Sequence, residues 1–291
     1  VGVLRSSLLR LGYKASALLD VIGLRRFALV RNVQHAIRQA LTRDQDLVVH
    51  VHGIRLSIPT NTASPHEYLD RPFEPFTTEL VRQAVHPGAQ VLDIGAQFGF
   101  FTLLAAARAG AAGHVHAFEP VPSNFRLLER NVALSGLGNI TPVPKAVGSR
   151  PGSVPIFVYQ SSDSHSLYQH PEQEVRAVID VDCVAIDDYL AGRRVDVVKM
   201  DIEGHEPVAL EGMQRTIAQS PRLVLFTELA PAYLRRGGHE PERYVEQLER
   251  LGFFVRLIEE ESRELLDVTP AMLARAAAEP DWHRNLYCTR A

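Results

Sequence analysis

From about residue 75 the chain alternates between short, nearly unbroken apolar runs and longer segments whose apolar residues recur every three or four positions. The short runs read as buried strands: residues 90–96 (QVLDIGA), 114–120 (HVHAFEP), 140–147, 196–202 (DVVKMDI) and 223–229 (LVLFTEL). The periodic segments read as amphipathic helices over 78–85, 100–109, 123–135, 207–218 and 242–251, the third opened by a Ser or Asn cap. A hairpin-like stretch through Tyr159 and an extended run over 177–186 interrupt the alternation, and residues 253–258 and 285–289 add two closing strands. Strands alternating with helices predict an α/β fold, a mostly parallel sheet with helices on both faces.

Two patterns precede this region. Leu4, Leu8, Leu11, Ala15, Leu18 and Ile22 share one helical face, and Leu29, Val30, Val33, Ala36, Ile37, Ala40 and Leu41 form a second, with Gly23 between them. Residues 47–57 (LVVHVHGIRLS) alternate about His52-Gly53 and read as a small hairpin.

Charge sharpens the contrast. The net charge of the 291 residues is −3, which disfavours a nucleic-acid partner. Residues 1–43 nevertheless carry +7, which leaves −10 on the rest. The basic arm fits a helical cap or homodimer contact with solvated arginines, or a helix lying peripherally on an anionic membrane. No apolar run reaches spanning length, and Arg5, Arg10 and Lys14 interrupt any signal-peptide core. Two cysteines, Cys183 and Cys288, provide neither a disulfide framework nor a thiolate zinc cluster, so a reducing, cytoplasmic setting is expected, with membrane association through the arm as the variant.

Open sheets bind ligands at the carboxyl ends of their strands. The first strand of the alternating region ends in Asp93-Ile94-Gly95-Ala96-Gln97-Phe98-Gly99, and the next ends in Glu119. The glycines permit a tight turn and close approach to the backbone, and a carboxylate in the position of Glu119 can accept from two ribose hydroxyls. The G-x-G-x-x-G triplet of dinucleotide sites is absent. Asp93 would repel a pyrophosphate but suits a cationic adenosyl ligand, which favours S-adenosylmethionine over a nicotinamide cofactor.

Three blocks, 93–104 (DIGAQFGFFTLL), 118–131 (FEPVPSNFRLLERN) and 199–212 (KMDIEGHEPVALEG), resemble the FkbM family of S-adenosylmethionine-dependent methyltransferases over roughly residues 70–230. The resemblance implies a class I methyltransferase, Rossmann-like fold with a seven-stranded sheet. The patterns along the chain divide it into a basic amphipathic helical arm (1–45), which lies outside the resemblance, a hairpin and linker (46–70) and a methyltransferase catalytic domain (71–291). The resemblance further implies O-methylation of a hydroxyl on a sugar, glycan or polyketide-type natural product. The cofactor residues it implies are Asp93, Gly95, Gln97, Gly99 and Glu119, with Ala146 and Val147 beside the adenine; Gln97 stands where the family often has Asn. The competing expectation is a non-catalytic adenosine-binding module that acts through its N-terminal helices.

An alcohol is a poor nucleophile while protonated, so the reaction benefits from a base or a metal ion. Asp201, Glu203 and His205 follow the strand at 196–202 and, in extended chain, would project to one side. They are expected as catalytic residues, with His205 or Asp201 as the base. Together with Glu228 they are alternatively expected to hold Mg2+ or Mn2+. On a third reading, Glu203 caps the next helix or pairs with Lys199 or an arginine, and His205 is only a loop residue. Glu206, before Pro207, fits a helix start. The hydroxyl-rich segment 161–168 (SSDSHSLY) is a candidate acceptor loop, with Ser164 and His165 as its substrate residues, and Tyr68, Phe73 and Glu74 are a candidate lid.

Overall fold

The computed structural model describes residues 47–51, 53–58, 73–161, 165–279 and 282–290. The N-terminal arm, Tyr68 and Ser164 lie outside these. The hairpin forms as expected: β1 (Leu47–Val51) pairs antiparallel with β2 (Ile54–Ile58). After helix α1 (Pro75–Ala84) the chain runs β3 (Gln90–Ile94), α2 (Phe100–Ala109), β4 (His114–Phe118), α3 (Pro122–Ser135) and β5 (Ile140–Val143). Then follow β6 (Ala146–Val147), β7 (Gly152–Val158), β8 (Ala177–Val184), α4 (Ile186–Leu190), β9 (Val197–Met200), α5 (Glu206–Glu211) and α6 (Gln214–Gln219). The last part comprises β10 (Val224–Leu229), α7 (Pro231–Arg236), α8 (Pro241–Arg250), β11 (Phe254–Glu259), β12 (Glu264–Asp267), α9 (Pro270–Ala276) and β13 (Arg284–Thr289).

The main sheet has the order β12-β11-β13-β10-β9-β3-β4-β5. Strands β10, β9, β3, β4 and β5 run parallel, and β13 inserts antiparallel between β10 and β11. This is the class I methyltransferase arrangement. Strand order reverses at β3, so the carboxyl ends of β3 and β9 flank the switch point where such sheets bind ligands. The expected seven strands are eight, because residues 264–267 return as an antiparallel edge on β11.

Alternation along each strand divides the core between the two faces. Leu92, Ile94, Val198, Met200, Leu225, Leu229 and Leu286 face a large cluster with Leu210, Met213, Tyr244 and Leu248. Val91, Val115, Val197, Phe226 and Ile258 face the other way, against Val81 and Val85 and the alanine-rich flank of α2. The same alternation directs Asp93, Lys199 and Glu228 to the α1–α2 side of the sheet's upper rim.

Three local expectations are revised. The strand expected over 140–147 breaks at Pro144-Lys145: β5 closes the main sheet, while β6 joins β8 and β7 in a separate three-stranded sheet. The helix expected over 207–218 is two helices, because Asp187 accepts from the Arg215 and Thr216 amides (3.0 and 2.7 Å) and so starts α6 anew. Helix α3 begins with Pro122 as its first residue and has no Ser or Asn side-chain cap. Among the described residues no helix is long and apolar enough to cross a membrane.

The hairpin is bolted to the domain by one side chain. Fully buried Asn131 accepts from the Ser57 amide (2.8 Å) and donates to the carbonyls of Ser57 (2.8 Å) and Phe98 (2.7 Å), joining β2, α3 and the glycine loop. Asn131→Ala leaves these buried groups unpaired and is expected to cost about 2–4 kcal/mol. A urea titration should show a lowered midpoint with an unchanged slope; an unchanged midpoint contradicts this role.

Candidate active site at the carboxyl rim

The loop between β3 and α2 is held in one conformation by backbone geometry and by Glu119. Gly95 lies at φ +84°, and a Cβ there would stand 1.9 Å from the Asp201 carbonyl oxygen, so only glycine lets the loop pass over the end of β9. Its amide and that of Ala96 both donate to the Phe118 carbonyl (3.0 and 2.9 Å). Gln97 adopts φ 51°, an uncommon left-handed conformation for a residue with a side chain. The compensation is a hydrogen bond from its amide to Glu119 Oε2 (2.9 Å), while Glu119 Oε1 accepts from the Val121 amide (2.9 Å). Burial pushes the Glu119 carboxyl up to about 7 despite these two donors. Each oxygen keeps a further acceptor position.

Asp93 lies beneath this loop, buried. It accepts from the Thr102 hydroxyl (2.5 Å) in the first turn of α2, where the helix dipole also favours a negative charge. Burial raises its carboxyl to about 6 against that hydrogen bond. Gly99 is the N-cap of α2. Ala146 and Val147 follow β5, and their side chains are buried, Val147 in the main core. The structure therefore brings Asp93, Gly95, Gln97, Gly99 and Glu119 together around one turn, with Ala146 and Val147 beyond the neighbouring strand.

The segment after β9 does not extend as expected. Glu203 (φ 57°) and Gly204 (φ 94°) are both left-handed, and the His205 amide donates to the Ile202 carbonyl (3.3 Å), closing a tight turn. A Cβ at Gly204 would lie 2.4 Å from the Tyr233 carbonyl oxygen, so the turn sits against the start of α7. Asp201, Glu203 and His205 consequently do not share one side. Asp201 stays at the rim, its side chain about a third exposed, and Oδ2 receives Lys199 Nζ at 3.0 Å. Burial works against the charge on Lys199, but the Asp201 and Glu74 carboxylates overcome it and hold the ammonium protonated. His205 is buried, and its Nδ1 is engaged by the Tyr168 hydroxyl (2.8 Å). Burial, aided by His239, pulls its pKa down to about 4, so the imidazole is neutral and a weak base. Glu206 is a structural carboxylate at the start of α5, accepting from the Ile202 amide (2.8 Å).

Glu228, at the end of β10, is buried beside this turn. Burial first, then the Asp201, Glu203 and Glu206 carboxylates, raise it well above the usual range. The proposed metal set of Asp201, Glu203, His205 and Glu228 is not assembled: among the described residues no three His, Cys, Asp or Glu side chains converge on a metal position. The turn carries His205 off to Tyr168, and Lys199 already supplies a cation to Asp201. Within the third reading, the Lys199 ammonium goes to Asp201, not to Glu203.

His165 stands near the rim, its Nδ1 receiving the Tyr159 amide (3.2 Å). The chain around it is anchored by a stack: Tyr159 on His170 (5.1 Å) and His170 on Tyr233 (5.1 Å), with the Arg236 guanidinium 4.9 Å from the Tyr233 ring. Sequence reading missed Tyr233, Arg236 and Asn285. The first two directly follow a strand end, so the strand-end rule could have found them. Asn285 opens the antiparallel strand β13 and so reaches the carboxyl rim from the other direction, a placement no local signal announces.

A curated relative, Methyltransferase 1 of Beauveria bassiana (strain ARSEF 2860), is 28% identical over 42% of this chain; the chain spans 57% of that relative's length. Among solved structures, an S-adenosylmethionine-dependent methyltransferase from Aquifex aeolicus is similar at 18% identity and a TM-score of 0.40, covering 78% of this chain and 98% of that one. Trm5b from Pyrococcus abyssi is similar at 17% identity and a TM-score of 0.43, covering 84% and 55%. Residues 93–255, more than half of the chain, match the methyltransferase FkbM domain and contain the glycine loop, Glu119 and the turn after β9. The protein belongs to the FkbM methyltransferase family.

Proposed function

We propose that the protein is an S-adenosylmethionine-dependent O-methyltransferase acting on a hydroxyl of a sugar, glycan or polyketide-type natural product. The observation that carries this reading is the clasp of Glu119 on the Gln97 amide, which holds a tight loop open between two buried carboxylates. Asp93 and Glu119 are carboxyl groups whose pKa values burial raises, Asp93 against the opposing Lys199 charge, and a cationic adenosyl ligand fits such a donor set. Asp93, the backbone of Gly95 to Gly99 and Glu119 would hold it, with the chain at Ala146 and Val147 beside its base. When bound, S-adenosylmethionine supplies a methyl group on a sulfonium, and the leaving thioether needs no general acid.

The remaining work falls to the rim. Asp201 is the base in this reading: it is partly exposed at the switch point, and its Oδ2 bond to Lys199 orients it to take the proton from an acceptor hydroxyl. His205 and Tyr168 position the turn, and Glu203 lines it. The segment carrying Ser164 and His165 is proposed to form the acceptor side.

S-adenosylmethionine or S-adenosylhomocysteine at 100 times its Kd is expected to stabilise the fold by about 2.7 kcal/mol, a rise of roughly 5–10 °C in Tm, whereas NAD leaves Tm unchanged. No shift with either adenosyl ligand at millimolar concentration refutes the reading. Asp201→Asn should lower turnover of methyl-labelled donor with sugar or polyketide acceptors by about 100-fold or more; full activity in this variant removes Asp201 from the chemistry.

Against the lowered His116 and His205, the raised carboxyl groups of Glu74, Asp93, Glu119 and Glu206 dominate the pH dependence. Between their unfolded pKa values near 4 and their folded values of about 6 to 7, the native state binds more protons than the unfolded state. Stability therefore falls as pH rises through this window, and the loss is complete above about pH 7. The ligand-free protein should melt at a higher temperature at pH 5 than at pH 8. S-adenosylmethionine, which favours the ionised carboxylates, should bind more tightly at pH 8 than at pH 5, as isothermal titration would show; the opposite trend in either measurement contradicts the assignment.

A further inference from the structure

The α1–α2 face of the rim carries a row of polar side chains that crosses four strands and ends on a helix. Asp93 on β3 lies beside Lys199 on β9, in register. Lys199 lies beside Phe226 on β10, and Glu228 is two residues further on the same face. Glu228 is paired directly with Asn285 on β13. The Asn285 side-chain amide donates to Glu74 Oε2 (2.8 Å) at the N-cap of α1, closing the row.

Two acceptors in this row lack a partner among the described residues. Glu228 Oε2 and Asn285 Oδ1 are both buried, and neither has a hydrogen-bond donor. A buried polar atom left unsatisfied costs about 1–3 kcal/mol, so two on cross-strand neighbours mark a place that a donor completes. The charge around them selects the kind of donor. Asp201, Glu203 and Glu206 act on Glu228 from the β9 side, and among the described residues Lys199 is the opposing charge that acts on it. The Lys199 ammonium is engaged by Asp201 Oδ2 and stands over the Phe101 ring (5.3 Å). Arg236, beyond the Tyr233 ring, is paired with Glu172 through Nη2 (2.5 Å), while its buried Nη1 has no partner among the described residues. An anionic group beside Glu228 would meet the Asp201, Glu203 and Glu206 carboxylates, whereas an ammonium brings three donors to the two open acceptors and opposes the carboxylates that raise Glu228.

We propose that Glu228 and Asn285 form an ammonium-binding subsite, so that the acceptor is a hydroxylated amine, such as an amino sugar, rather than a phosphorylated or carboxylated one. The proposal rests on the methyltransferase reading and adds the acceptor's charge class to it. Asp201 and Glu74, the partly exposed carboxylates bordering the subsite, form its entrance. A bound amine then places a neighbouring hydroxyl toward Asp201.

The test uses the full chain loaded with S-adenosylhomocysteine and three matched pairs: glucosamine and glucose, galactosamine and galactose, 2-amino-1,3-propanediol and glycerol. Glucose 6-phosphate is the anionic control. By isothermal titration or ligand-observed NMR, at least one amine should bind at least tenfold more tightly than its deaminated counterpart, with no binding of the phosphate. Glu228→Gln and, separately, Asn285→Leu should each erase that preference, and a melting curve with S-adenosylhomocysteine verifies that each variant is folded. If one variant does not fold, the other decides. Equal binding within every pair, no binding of any amine, or binding of glucose 6-phosphate overturns the proposal; the last two cases would mean that Glu228 is protonated and donates to Asn285 itself. A loss of S-adenosylhomocysteine affinity without a change in amine preference also overturns it, by assigning the row to the methyl donor's own ammonium. Failure of wild-type protein to bind S-adenosylhomocysteine sinks the methyltransferase reading instead, so the two failures are distinct.

Discussion

A single ammonium holds the upper rim of this sheet together. Lys199 is buried among carboxylates from β3, β9, β10 and the start of α1, and it pairs with Asp201 where the strand order reverses. Without that charge, Asp93, Asp201 and Glu228 would be neighbouring buried or half-buried anions with no countercharge. Burial, with the Asp201 carboxylate nearby, already raises Asp93 and Glu228 even beside Lys199. The proposed cationic ligands would oppose that accumulation of carboxylates.

The loop above the rim depends on a different balance. Gln97 in a left-handed conformation costs free energy, and Glu119 offsets it by accepting the Gln97 amide with one oxygen while anchoring the start of α3 with the other. Asn131 secures the same loop from behind through the Phe98 carbonyl. Loop, helix and hairpin are thus joined by polar bonds inside an apolar layer, so the ligand-facing backbone is formed before any ligand arrives. Such preorganisation removes part of the ordering cost of binding.

The sides of the rim differ in construction. The proposed cofactor side is built from contiguous sequence: a strand, a turn and a helix start, with one acid from the next strand. The proposed acceptor side is built from distant pieces. Tyr159, His170, Tyr233 and Arg236 stack across three segments, and Asn285 contacts Glu74 across 211 positions of sequence. The first side was legible in the residues 93–104 and 118–131, because a glycine at positive φ and an acid at a strand end leave a local signature. The second was not, because its partners meet only after β13 has inserted between β10 and β11 in the reverse direction.

The same division runs through the chain. Apolar periodicity determined the strands, the helices and which face each strand residue takes, since these follow from steric repeat and burial within a few residues. Family likeness in three short blocks carried the methyltransferase assignment. Where the chain leaves regular structure, local rules failed: extended-chain alternation put Asp201, Glu203 and His205 on one side, whereas two left-handed residues turn the chain and bury His205 against Tyr168. Whether a carboxylate meets a lysine, a metal or another carboxylate depends on distances set by strand order and packing. Those distances are decided when the sheet assembles, which is why the charge of the rim became readable only in the tertiary structure.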